Sequence, residues 1–124
     1  MRWALLLFFV LLILLAQARP EVTLQVTPKT VEPNGTIRVS VINDSGSELK
    51  TTYSLTFHRL QDGEWVPVDT GLVFVAVLVT IPPGEVWEQE VRLPGLEAGR
   101  YRVEKVAFLG EEKLTLSDEF EVVG

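Results

Sequence analysis

Cysteine is absent from this chain of 124 residues. That excludes a disulfide scaffold, thiolate metal sites, cysteine catalysis and a lipid-modified N-terminal cysteine. Histidine occurs once, at His58, so a zinc site would have to draw most of its ligands from carboxylates, and a nucleophile–base triad would need convergent partners around that one imidazole. Basic residues are few. Lys and Arg number 11 against 17 Asp and Glu, a net charge of −6, and no basic run interleaved with aromatics is present. Both facts argue against nucleic acid or anionic lipid as partner. There is no glycine-rich phosphate loop, no internal repeat, no low-complexity tract, and no apolar stripe at helical spacing after Glu21.

The first residues stand apart. Met1-Arg2 is followed by an apolar run, Trp3 to Ala16. At about 1.5 Å per helical residue, fourteen residues reach about 21 Å, short of a hydrocarbon core of about 30 Å. Ala16-Gln17-Ala18 has the small-x-small form of a cleavage site, and Pro20 ends helical continuation. Residues 1–18 therefore read as a signal peptide cut after Ala18, with an uncleaved anchor as the alternative. Both place residues 19–124 outside the cytoplasm: secreted, periplasmic or at the cell surface, or anchored by residues 3–18. Membrane contact is confined to that segment. Loss of Arg2 with the leader makes the remaining charge −7.

From Glu21 onward the hydrophobic period is two. Val22, Leu24 and Val26 alternate with Thr23, Gln25 and Thr27; Ile37, Val39 and Val41, then Tyr53, Leu55 and Phe57, repeat the pattern. Such alternation marks strands with one buried and one wet face. Turn signals recur at Pro33-Asn34-Gly35, Asn43-Asp44-Ser45-Gly46, Asp62-Gly63, Pro82-Pro83-Gly84, Pro94-Gly95 and Gly110-Glu111. The spacing predicts strands near 21–27, 35–42, 49–60, 64–68, 71–80, 85–93, 100–109 and 113–122. Seven or eight short antiparallel strands in about 100 residues make an all-β sandwich or barrel. Pro67 assigns strand 64–68 to a sheet edge. Val106 and Phe108 are out of phase with Tyr101 and Val103, which predicts a bulge near Glu104-Lys105 that returns them to the interior. Asp118 falls on an inward position, so either a bulge turns it out or local hydrogen bonds satisfy it.

Leu96-Glu97-Ala98-Gly99-Arg100-Tyr101-Arg102-Val103 has the Leu-x-x-Gly-x-Tyr-x-Val form at the start of the penultimate strand. In sandwich domains a tyrosine there turns its hydroxyl back to the upstream backbone, the tyrosine corner, with Leu96, Gly99 and Tyr101 as its parts. The order of motifs over residues 28–123 resembles the bacterial Ig-like domains of exported and surface proteins. The carrying elements are Pro33-Asn34-Gly35 leading into a strand ending at Asn43, and Tyr53 to Leu60 followed by Asp62-Gly63-Glu64-Trp65-Val66. Ile81-Pro82-Pro83-Gly84-Glu85, Gly99 to Val103 and Glu119-Phe120-Glu121-Val122 complete them. The resemblance implies an Ig-like sandwich that binds or spaces, with no chemistry of its own and no named ligand. The run Leu72 to Val79 departs from the family's usual spacing.

No catalytic residue, cofactor or metal is expected. His58 reads as a solvated imidazole, and Glu88, Glu90, Glu119 and Glu121 as a wet face. Arg102 opposite Glu119 or Glu121 would make a surface pair. The acidic loop 43–48 lacks calcium-loop spacing. Asn34 and Asn43 head N-x-[ST] triplets and are candidate glycosylation sites. Leu72, Val73, Phe74, Val75, Val77, Leu78 and Val79 have no polar alternates: either this strand is buried on both sides, or one row forms an interface for a partner or a second copy. The expected function is a non-catalytic, exported binding or spacer module of the cell envelope, with a protein or glycan partner. The alternative is an Ig-like protease inhibitor acting through the end loops Ser45–Ser47, Asp62–Glu64 and Gly110–Glu112.

Overall fold

Branched apolar residues on alternate positions favour extended chain, and their common face has to be covered by a second such face. A computed structural model describes residues 21–124, and the leader, with Ala16 and Ala18, lies outside the described residues. Ten strands form two sheets: β1 (Val22–Thr27), β2 (Thr30–Val31), β3 (Thr36–Asn43), β4 (Leu49–Thr52), β5 (Thr56–Gln61), β6 (Glu64–Val68), β7 (Leu78–Ile81), β8 (Val86–Arg92), β9 (Gly99–Leu109) and β10 (Glu112–Val122). One sheet has the order β1-β3-β8. The other runs β2-β10-β9-β4-β7, with β5 and β6 continuing the β4 side of β9. The architecture is an all-β, Ig-like sandwich without a helix among the described residues.

Val26, Ile37, Val39 and Val41 meet Leu49, Tyr101, Val103, Ala107, Phe120 and Val122 between the sheets, all buried. Tyr101 stacks on Phe120 at 5.6 Å between centroids, and Phe57 meets Phe120 edge-on at 6.4 Å. The chain changes sheets after Thr27, and Asp118 ties the crossing: its carboxylate accepts from the Val26 and Glu119 amides and from Lys29. The inward acid is thus satisfied locally, without a bulge.

Three expectations need correction. The segment 49–60 is two strands. Leu49 and Thr51 pair with Leu109 and Ala107, whereas Thr56 and Phe57 pair with Glu104 and Val103, so four residues, Thr52 to Leu55, face only Lys105 and Val106. The bulge therefore sits opposite the expected place. β9 itself pairs with β10 in unbroken register from Gly99 to Leu109; Lys105 takes the inward position, and Val106 and Phe108 are exposed. Lastly, within 71–80 only Leu78 onward is strand. Pro67 does lie in an edge strand, since among the described residues β6 pairs with β5 alone.

Candidate functional site: the open side of the sandwich

Residues 69–77 join two edge strands, β6 and β7, and pass the bulge at Tyr53–Leu55. Leu72, Phe74 and Val79 are half-buried against the core. Val73, by contrast, is 95% exposed, Val75 59%, Val77 51% and Leu78 62%. The run is thus neither buried on both sides nor regular strand: one row packs and the other faces solvent. Gly71 N–H is held by the Asp69 carboxylate and Leu72 N–H by the Thr70 hydroxyl. Among the described residues no hydrogen bond reaches the backbone of Val73 to Val77. Behind the run lies a cleft of about 500 Å³, walled by Leu72–Val75 on one side and Gln89–Arg92 on the other, with Tyr53 in its lining.

The rim of this cleft is stitched through the bulge. Gln89 Nε2 donates to the Tyr53 carbonyl at 3.0 Å, and Tyr53 meets Trp87 edge-on at 5.1 Å. Lys105, only 1% exposed, donates through Nζ to the carbonyls of Thr52 and Ser54 and lies 5.2 Å from the Trp87 ring centroid. Two carbonyls freed by the broken ladder thus gain a cationic donor, and the aromatic face adds its quadrupole. Burial lowers the Lys105 pKa to about 8. Sequence reasoning missed this lysine because it read Val106 and Phe108 as the inward pair. The signal that marks it is parity, since Lys105 shares the phase of Tyr101 and Val103.

The other singled-out residues lie elsewhere. Tyr101 Oη donates to the Glu97 carbonyl at 2.7 Å, and Leu96 is buried beside it. Gly99 has φ 156°, and a Cβ there would stand 2.9 Å from Arg59 Nε; the bare backbone lets Arg59 reach the Ala98 carbonyl at 2.8 Å and Glu97 Oε2 at 2.7 Å. His58 is half-buried, 4.0 Å from Glu104, with Nδ1 unpartnered. Glu88 and Glu90 flank Arg38 at 3.1 and 3.2 Å. Glu119 binds Arg100 at 2.8 Å and Arg102 at 3.5 Å, and the Arg100 hydrogen bond holds its carboxyl below the usual range. Arg102 in turn covers the Trp65 ring at 4.3 Å. Among the described residues, no group of three or more His, Asp or Glu is placed to hold a metal.

Asn34 is exposed in its turn. Asn43 is a correction: it is wholly buried. Its Nδ2 donates to the carbonyls of Ser47, Ile81 and Pro82, and its Oδ1 accepts from Ser45 N–H and Oγ. In the folded domain its amide has no room for a glycan. The three end loops do not converge. Ser45–Ser47 and Gly110–Glu112 lie at the end where Leu49 pairs with Leu109, and Asp62–Gly63 lies at the opposite end, beyond the pairing of Arg59 with Tyr101.

Comparison with solved structures finds one whose fold this chain shares and others of weaker likeness. The alkylpurine DNA glycosylase AlkC of Pseudomonas fluorescens, solved bound to DNA containing an abasic site analog, is 19% identical with a TM-score of 0.51, covering 90% of this chain and 33% of that one. A PapD-like domain of human CEP192 (10% identity, TM-score 0.40) is covered over 86% of this chain and 89% of its own. A β-glucosidase of Listeria innocua (18%, 0.40) is covered over 84% and 16%. This chain thus spans about a third of the glycosylase. No curated protein matches. The family model for the bacterial Ig-like domain matches residues 18–121, and the chain belongs to that family.

Proposed function

We propose that the chain is an exported, non-catalytic Ig-like module of the cell envelope that binds a protein or glycan partner or spaces a larger assembly. On this reading residues 1–18 are the leader, cleaved after Ala18 or kept as an anchor, and residues 19–124 are the working domain. Membership of the bacterial Ig-like family supports a surface or spacer role. The observation that carries the binding role is the exposed set Val73, Val75, Val77 and Leu78, four large apolar side chains within six residues, each more than half exposed. Folded monomers seldom leave such a strip uncovered without a use for it. The likeness to a DNA-bound glycosylase is one of fold; an acidic chain gains nothing from a phosphate backbone.

The test is capture from host envelope extracts by the purified protein, compared with a V73T/V75T/V77T variant of equal thermal stability. Loss of a captured partner in the variant supports the reading. Equal capture by both removes the role given to this row. Assay against a protease panel examines the inhibitor alternative, for which Ser45–Ser47 and Gly110–Glu112 share one end and Asp62–Gly63 the other.

A further inference from the structure

We infer that the open edge at Val73–Val77 pairs with the same edge of a second copy of this chain, antiparallel, with Val75 on the two-fold axis. The inference rests on the binding role proposed for this row and names its occupant. Four observations carry it. The backbone groups of Val73 to Val77 have no hydrogen-bond partner among the described residues, and an unpaired edge is a template for another strand. The usual guards are missing: from Thr70 to Ile81 there is no charge and no proline, whereas β6 carries Pro67 and Glu64, and β8 carries Glu88 and Glu90.

The segment is also complementary to itself. With Val75 facing Val75, Val73 faces Val77 of the second copy and Phe74 faces Ala76, a large ring against a small side chain. A two-fold contact demands such self-matching of one patch. Charge points to the same occupant. On a chain of net −6, two copies meet without carboxylates opposed only where the surface carries none, and this edge is such a place. Five paired residues bury far less than the roughly 800 Å² per partner of a stable interface, so the pair is reversible and depends on concentration.

The experiment uses the protein in the form its host accumulates. Sedimentation velocity over a concentration series is expected to show mass rising from one copy to two, and V73T/V75T/V77T is expected to stay single at every concentration. Because the chain has no cysteine, single-cysteine variants read the register. Opposite residues of an antiparallel pair have Cα atoms about 4.5–5.5 Å apart, within disulfide reach. V75C alone is therefore expected to cross-link to itself, and V73C to link with V77C in a mixture, each faster than the bystander E121C. A single-copy mass throughout, or V75C linking no faster than E121C, overturns the inference. A monomer that still captures an envelope partner through this row overturns the inference and leaves the binding role standing. Pairing without capture sustains the inference and removes the envelope partner.

Discussion

Tyr101 joins two requirements in one side chain: its ring fills the core against Phe120, and its hydroxyl closes on the Glu97 carbonyl. Tyr101→Phe keeps the ring and leaves a carbonyl short of a donor, so chemical denaturation is expected to show a loss of about 1–2 kcal/mol. Lys105 makes a pH signature. Its folded pKa, about 8, lies below the ordinary lysine value of 10.5. Between those values the unfolded chain binds a proton that the folded chain lacks, so stability rises as pH rises through that window. Below about pH 8 both states are protonated and this dependence vanishes. Urea melts at pH 7.5 and 9.5 are expected to show the rise in the wild type and its absence in Lys105→Met. The variant is also expected to be less stable at both pH values, because the Thr52 and Ser54 carbonyls lose their donor. Asp118 acts in the opposite range. Burial pushes its carboxyl up, but hydrogen bonds from Lys29, Val26 and Glu119 outweigh that and hold it low. Its contribution is therefore present above the ordinary carboxylate range and lost on acidification.

The segment 69–77 shows how one element divides its labour. Phe74 packs on the core while Val73 stands in solvent. Phe74→Ala is expected to lower stability by about 1–3 kcal/mol, whereas Val73→Thr should stay within about 0.5 kcal/mol of the wild type; thermal melts of the two variants check this. Strand existence was readable in the sequence because one face of each strand is buried, which writes the period into the residues. The break inside 49–60 was not. Its two surplus residues are an even number, so Tyr53, Leu55 and Phe57 keep their alternation across it, and only the pairing partners reveal it. The misplaced bulge followed from assigning apolar Val106 and Phe108 to the interior and charged Lys105 to the surface. The bulged partner strand reverses both, because its freed carbonyls want a donor inside. The run 71–80 read as strand from composition, yet among the described residues nothing pairs with its first part.

At the scale of the whole molecule, two sheets held by apolar burial leave one side open. That side lacks the charges guarding β6 and β8, and it was legible as an apolar run although its half-packed, half-exposed state was not. The most direct measurement is amide hydrogen exchange resolved by residue at low and high protein concentration. The amides of Val73 to Val77 are expected to exchange like unstructured chain in dilute solution while β9 and β10 stay protected, and to gain protection as concentration rises. Protection of Val73 to Val77 at every concentration would show the edge already paired within the domain. Fast exchange at every concentration would show that no second copy ever occupies it.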